Sequence, residues 1–145
     1  MSTLENIIRN SRKLPFPAET IYNAFASQEM LVRWWGPDGF TNTFEVFEFK
    51  PGGQWKFMMH GPEGKNYPNE SIFVALEEGQ KIVIRHNVTP YFTLTVMLTP
   101  VAGGTQLTWE QVFDEAPVAQ AIKHIVEPAN EQNLDRLTAV LQQTV

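Results

Sequence analysis

At 145 residues the chain has the length of one domain, and its 43% hydrophobic and 19% charged residues are typical of a globular protein with a core. A net charge of −5 argues against nucleic acid or an anionic membrane as a partner, because phosphate binding needs concentrated positive charge. The absence of cysteine excludes disulfides, thiolate nucleophiles and cysteine metal sites.

Two short helices are predicted after a first strand. The strand is predicted over residues 5–14 and ends at the prolines of PFP. Pro17 suits the first turn of the first helix, because its missing N–H costs nothing there. A second helix is predicted over SQEMLVRWW, with Ser27 as its N-cap and Gly36-Pro37 as its end.

Two adjacent tryptophans close the second predicted helix. Leu31, Trp34 and Trp35 follow the spacing i, i+3, i+4, which puts both tryptophans on one buried face. The residues that follow, GPDGF, combine two turn pairs with Phe40. Large aromatics beside surface turns indicate either core packing or the rim of a pocket, and the sequence leaves both interpretations open.

From residue 41 the pattern changes to short strands joined by tight turns. It predicts an antiparallel meander with strands at 43–49, 54–60, 71–76, 81–86, 92–99 and 105–113. The stretch HGPEGKNYP is predicted to be a turn-rich connection. A last helix is predicted from residue 118 to the end, with an apolar stripe of Ile122, Val126, Leu134, Leu137 and Leu141.

This order of elements predicts an α+β domain in which the sheet curls around the last helix. Because a helix cannot fill a strongly curved sheet completely, we expect a cavity between them. The stretch MSTLENIIRNSR lacks the basic start and long apolar run of a signal peptide, and no segment has the ~20 apolar residues that span a bilayer. We therefore expect one domain over residues 1–145, a cytoplasmic location and no membrane insertion.

Five motifs in a characteristic order cover nearly the whole chain, from about Ile8 to Leu141. They are RWWGPDGF, FKPGGQWKFMMHGPEGKNYP, KIVIRH, GGTQLTWEQVF and NLDRLTAVL. With these motifs the chain resembles the activator of heat-shock-protein-90 ATPase homologue family, part of the START-like (SRPBCC) superfamily. The resemblance implies the helix-grip, or Bet v 1-like, fold: a curved antiparallel sheet wrapped around a long C-terminal helix, with two short helices after the first strand.

The resemblance also implies a cavity whose occupant is not specified, since the superfamily includes lipid carriers, hormone receptors and aromatic polyketide cyclases. Two positions depart from the family pattern. Arg85-His86 stands where relatives often have an aromatic residue, and Ala129-Asn130 stands where they often have Gly-Trp. If these positions face the cavity, the cavity is wetter and roomier than is usual in the family.

Three polar residues are predicted to point into this apolar space. Alternation places His86 on the face of Ile84 and Gln111 on the face of Trp109, while Asn130 falls within the apolar stripe of the last helix. A buried polar group without a partner costs roughly 1–3 kcal/mol. These residues therefore satisfy one another, reach solvent at a strand end, or contact a ligand, and all three alternatives remain open.

Candidate ligand-binding residues are those on inward faces and at the predicted cavity entrance. They are Trp34, Trp35, Phe40, Trp55, Phe57, Met59, Ile84, His86, Trp109, Gln111, Ile122, Val126 and Asn130. His86 is also the candidate catalytic residue, because the ordinary pKa of histidine, about 6.5, suits acid–base work. The pattern places no orienting carboxylate beside it.

Other catalytic and cofactor-binding patterns are missing from the sequence. His60, His86 and His124 lack metal-binding spacing, so we expect no zinc site. The serines lack the glycines of a nucleophile elbow, and there is no glycine-rich phosphate loop. We accordingly expect neither a metal nor another cofactor.

Three functions are compatible with these patterns. The leading hypothesis is a binding module for a small hydrophobic or aromatic molecule, whose polar end His86 and Asn130 would orient. The second is an enzyme of the polyketide cyclase or isomerase type that uses His86 as an acid or base. The third is a protein-interaction module such as a chaperone regulator, and a bare sheet edge would also allow a homodimer.

Overall fold

A single antiparallel sheet of seven strands, in the order β1-β7-β6-β5-β4-β3-β2, forms the frame of the molecule. The computed structural model describes residues 3–143. After a 3₁₀ turn at Thr3–Asn6, the elements are β1 (Ile7–Leu14), α1 (Ala18–Ala26), α2 (Gln28–Trp34), β2 (Thr41–Phe47), β3 (Gln54–His60), β4 (Asn66–Glu77), β5 (Lys81–His86), β6 (Phe92–Val101), β7 (Gly104–Phe113) and α3 (Ala116–Gln143).

The sheet is curved, and α3 lies along its inner face together with the two short helices. Register shifts at Phe44/Val46 and Phe73/Ala75 mark bulges, which bend a strand and increase its twist. The first strand pairs with the last, Ile7 facing Val112, so the two ends of the chain meet beside α3. The α+β helix-grip fold predicted from the sequence is confirmed.

Strand β4 begins five residues earlier than predicted, at Asn66 instead of residue 71. The predicted loop included Tyr67-Pro68, because proline argues against a strand. In the structure this part of β4 pairs with β3, Met58 facing Pro68, whereas β5 joins β4 only from Ser71 onward. Proline is tolerated there because one side of the strand has no neighbour.

The ends of several other elements also differ from the prediction; β2 covers Thr41–Phe47, where residues 43–49 were predicted, and β6 continues to Val101 and not to residue 99. The first strand starts at Ile7, after the 3₁₀ turn, and not at residue 5. The last helix starts at Ala116, so Pro117 occupies its first turn, where a missing N–H is harmless. The predicted end of this helix at residue 145 lies outside the described residues.

The two halves of α3 differ in burial. In the second half, Leu134, Leu137 and Leu141 are fully buried in the core, as the apolar stripe predicted. In the first half no residue from 121 to 129 is buried, and Ile125 is 60% exposed. The first half of α3 therefore leaves space between itself and the sheet. Among residues 3–143, no helix has the length and hydropathy needed to cross a membrane.

Candidate functional site

A pocket of about 290 Å³ lies between the inner face of the sheet and the first half of α3. We call it the inner pocket. Each of the strands β3 to β7 contributes alternate residues to its wall, and the chain after α2 and one face of α3 complete it. It is lined by Trp35, Gly36, Pro37, Phe57, Met59, Asn69, Ser71, Ile84, His86, Phe92, Leu94, Trp109, Gln111, Ile125, Val126, Ala129, Asn130 and Asn133.

Most of the candidate residues named from the sequence lie in this wall. They are Trp35, Phe57, Met59, Ile84, His86, Trp109, Gln111, Val126 and Asn130. Four others do not line it. Trp34 and Trp55 are buried in the core, and Ile122 packs near Phe113 in a smaller cluster. Phe40 lies outside, its ring centroid 5.8 Å from that of Tyr67.

Sequence reasoning missed three polar residues of the wall: Asn69, Ser71 and Asn133. Asn69 lies in the part of β4 that was predicted to be a loop. Alternation from Phe73 would have placed Ser71 on the inward face. Asn133 lies one helical turn after Asn130 and could have been found from that spacing.

The two adjacent tryptophans have different environments. The sequence predicted that both lie on one face of a helix, but α2 ends at Trp34, and Trp35 has the extended conformation φ −66°, ψ 133°. Trp34 is fully buried. Trp35 leaves the helix and packs between Trp55 and Trp109, with ring centroids 4.9 and 5.4 Å away. Trp34 therefore belongs to the core and Trp35 to the pocket wall.

The loop over residues 36–40 is tied to α3 by side chains. Gly36 has φ 100°, where a side chain is strained, and its N–H donates to Asn133 Oδ1 at 3.2 Å. The Arg136 guanidinium donates to the carbonyl oxygens of Arg33, Trp35, Gly36, Pro37 and Phe40. Because Gly36 and Pro37 line the inner pocket, Arg136 and Asn133 hold one side of the pocket in place.

A chain of amides crosses the wall of the inner pocket from β1 to β7. Asn130 Nδ2 donates to Asn10 Oδ1 at 3.0 Å and to Gln111 Oε1 at 2.7 Å. Two of the three polar residues predicted to face this space thus satisfy one another in part. All three amides are buried, and Asn10, which sequence reasoning did not single out, anchors the chain.

Both ring nitrogens of His86 have protein partners. Nδ1 lies 2.8 Å from the carbonyl oxygen of Pro90, and Nε2 lies 2.9 Å from Asn69 Oδ1. The ring is stacked on Phe92 with centroids 4.4 Å apart. Burial lowers the pKa of His86 below its usual 6.5, against the opposing effect of the Pro90 carbonyl, and the positive charge of Arg85 also lowers it. Asn69 Nδ2 donates to the carbonyl oxygen of Tyr67 at 3.0 Å, so Asn69 Oδ1 is the atom that faces the ring. A neutral ring carries one N–H and can therefore donate to only one of these two acceptors at a time.

We expect acid to destabilise the protein through His86. The unfolded ring binds its proton near pH 6.5, whereas the folded ring binds it only at lower pH, so the unfolded state holds more protons in this window. The free energy of unfolding should therefore fall as the pH drops below 6.5 toward the folded pKa. Urea unfolding at pH 7.5 and 5.5 would show a smaller pH dependence in His86→Gln than in the wild type.

The exposed His124 provides the control for this measurement. His124→Gln should retain the pH dependence of the wild type. Equal pH dependence of the wild type and His86→Gln would contradict the assignment of this effect to His86.

Charge is missing from the wall of the inner pocket. Within the described range, the lining residues include no Lys, Arg, Asp or Glu. Across residues 3–143, no three or more His, Asp or Glu side chains lie together in a group that could hold a metal ion. The wall consists of apolar and aromatic side chains with a few neutral polar groups.

The family model of the Activator of Hsp90 ATPase homolog 1-like protein matches residues 15–142. The fold and this match together define a START-like (SRPBCC) domain. The chain belongs to the Activator of Hsp90 ATPase homolog 1-like family. No curated protein matches the chain.

Solved structures from several bacteria share the fold. A protein from Nitrosomonas europaea has a TM-score of 0.89 and 19% identity, with 97% of this chain and 96% of that one covered. One from Arthrobacter aurescens has a TM-score of 0.88 and 20% identity, covering 99% and 90%. One from Chromobacterium violaceum has a TM-score of 0.82 and 25% identity, covering 93% and 96%. These similarities establish the architecture of the chain.

Proposed function

We propose that this protein binds a small, largely hydrophobic molecule in the inner pocket. The observation that carries the proposal is a space of about 290 Å³ with aromatic and aliphatic walls and a few neutral polar groups. Small-molecule sites in proteins have this composition, and their volumes start at about 300 Å³. The lack of cysteine fits a reducing compartment, and a cytoplasmic location is part of the same proposal.

Apolar burial would provide most of the affinity for such a molecule. Each square ångström of apolar surface removed from water contributes roughly 25 cal/mol. A cavity of about 150 Å³ lined by aliphatic and aromatic groups is enough to hold benzene. The inner pocket has about twice that volume, which suits a substituted single ring or a fused pair of rings.

Filling the inner pocket should abolish binding. Ala129 lies in the wall on α3, and Ala129→Phe would place a ring in the space that a ligand needs. We expect equilibrium dialysis with naphthalene to show saturable binding by the wild type and at least a tenfold loss in Ala129→Phe.

Ala121→Phe is the matched control, because Ala121 is exposed on the same helix and does not line the pocket. It should bind naphthalene as the wild type does. Equal binding by the wild type and Ala129→Phe would place the site elsewhere and refute the proposal.

The enzyme hypothesis has less support than binding. A general base at His86 needs a free ring nitrogen, and both are occupied, by Pro90 and Asn69. No carboxylate lines the inner pocket to orient the ring. His86→Ala separates the two hypotheses: loss of turnover with retained binding would favour an enzyme, and loss of affinity alone would favour a binding protein.

A further inference from the structure

The orientation of the amides in the pocket wall is set by Asn10, whose own orientation is fixed by two acceptors on α3. Asn10 Nδ2 lies 3.1 Å from the carbonyl oxygen of Glu127 and 2.7 Å from Glu131 Oε2. Both partners accept and cannot donate, so Asn10 must direct its NH₂ group toward them. Its oxygen, Oδ1, consequently points the other way, toward Asn130.

The orientation of Asn10 determines the orientations of the next two amides, those of Asn130 and Gln111. Asn130 must present its NH₂ group to Asn10 Oδ1, and the same nitrogen lies 2.7 Å from Gln111, which must therefore present its oxygen. Both N–H bonds of Asn130 are then used. The groups that remain are the oxygen of Asn130 and the NH₂ group of Gln111.

These remaining groups are a hydrogen-bond acceptor and a donor available to a molecule in the inner pocket. Within residues 3–143, neither Asn130 Oδ1 nor Gln111 Nε2 has a hydrogen-bond partner. Asn130 is 8% exposed and Gln111 7%, and both line the inner pocket. Neither atom is sealed from water, so a ligand that displaces the water of the inner pocket must offer a donor and an acceptor in its place, and an occupant that pairs with both is favoured.

A hydroxyl group matches this pair of atoms. Its oxygen accepts from Gln111 Nε2, and its O–H donates to Asn130 Oδ1. A carbonyl or ether oxygen pairs with Gln111 alone and leaves Asn130 unsatisfied. The acceptor and the donor lie on two amides that are hydrogen-bonded to each other in the wall of the same pocket.

A charged ligand does not fit the same wall. A carboxylate or phosphate in the inner pocket would lose its hydration with no Lys or Arg in the wall to compensate. Burying an unpaired charge is far more costly than burying a neutral hydroxyl group with partners. His86 is the titratable side chain in this wall, and its two ring nitrogens already face the Pro90 carbonyl oxygen and Asn69.

We infer that the inner pocket selects an uncharged phenol or alcohol of one or two rings, with the hydroxyl group held between Gln111 Nε2 and Asn130 Oδ1. The inference rests on the proposed function and narrows it to one ligand class. Asn10 and Glu131 act as positioning residues, because they set the orientation of the amides without facing the ligand.

Equilibrium dialysis at pH 7 with three probes of nearly equal shape tests this inference. The probes are 2-naphthol, 2-methylnaphthalene and 2-naphthoate, which carry a hydroxyl, a methyl and a carboxylate group at the same position. We expect 2-naphthol to bind about tenfold more tightly than 2-methylnaphthalene, as one or two net hydrogen bonds would give, and 2-naphthoate to bind most weakly.

A pair of variants locates the preference. Gln111→Met removes the donor while keeping the length of the side chain, and Asn130 retains its bond to Asn10. The preference for 2-naphthol over 2-methylnaphthalene should disappear in this variant. Gln106→Met, the same change on the outer face of the same strand, should leave the preference intact.

The outcomes separate the inference from the proposed function. Equal affinity of the wild type for 2-naphthol and 2-methylnaphthalene would overturn the hydroxyl inference and leave hydrophobic binding standing. Tightest binding of 2-naphthoate would overturn the exclusion of charged ligands. A failure of all three probes to bind would overturn the proposed function together with the inference.

Discussion

Trp34→Ala is expected to lower the free energy of unfolding by about 3–5 kcal/mol, the range for removing a large aromatic side chain from a core. Trp34 is fully buried, and its ring meets Phe25 edge-on with centroids 4.8 Å apart. Its Nε1 donates to the carbonyl oxygen of Ala24 at 3.0 Å. That carbonyl belongs to the last turn of α1, where no helical partner exists, so the variant loses a helix cap as well as packing.

Urea unfolding followed by circular dichroism measures this effect. Val74→Ala provides the comparison, because Val74 is a hydrophobic residue that is 52% exposed. The free energy of unfolding of Val74→Ala should stay within about 0.5 kcal/mol of the wild-type value, as is usual for surface positions. A loss below about 1 kcal/mol in Trp34→Ala would contradict the assignment of Trp34 to the core.

Arg136→Ala is expected to lower the free energy of unfolding by about 3 kcal/mol, since hydrogen bonds from a charged group contribute about 1.5–3 kcal/mol each and are not additive. Arg136 donates to carbonyl oxygens at both ends of the 36–40 loop, including those of Gly36 and Phe40 at 2.9 Å. Arg136→Lys should recover only part of the loss, because an ammonium group cannot reach so many acceptors at once.

Hydrogen exchange makes this prediction specific to the 36–40 loop. The amide of Gly36, which donates to Asn133, should exchange faster in Arg136→Ala than in the wild type. Arg33→Ala is the matched control, because Arg33 is exposed and its side chain bonds only Gln143 among the described residues. Unchanged exchange at Gly36 in Arg136→Ala would mean that the loop holds its position without this arginine.

The inward faces of the strands could be predicted because side-chain direction alternates strictly along a strand. Ile84 predicts the direction of His86, and Trp109 predicts that of Gln111, as the structure has them. The same reasoning failed at the second tryptophan, because it assumed that the helix continues. The helix ends at Trp34, so helical spacing does not apply to Trp35.

The partners of the polar groups could not be predicted, because they come from distant parts of the chain. Asn130 bonds Asn10 from 120 residues away, and Arg136 bonds the carbonyls of a loop about 100 residues earlier. Every residue has a backbone carbonyl, so the sequence does not indicate which carbonyls Arg136 bonds or that it holds a loop. The part of β4 that carries Asn69 was not predicted as a strand, because Pro68 argues locally against one.

By itself the sequence determined the order of the elements, the inward faces and the family, since these depend on periodicity and motifs that neighbouring residues carry. The tertiary structure alone decided that α3 stands away from the sheet in its first half and that Asn10 fixes the direction of two amides. Both depend on contacts between segments that only folding brings together, and hydrogen-bond directions follow from the partners actually present.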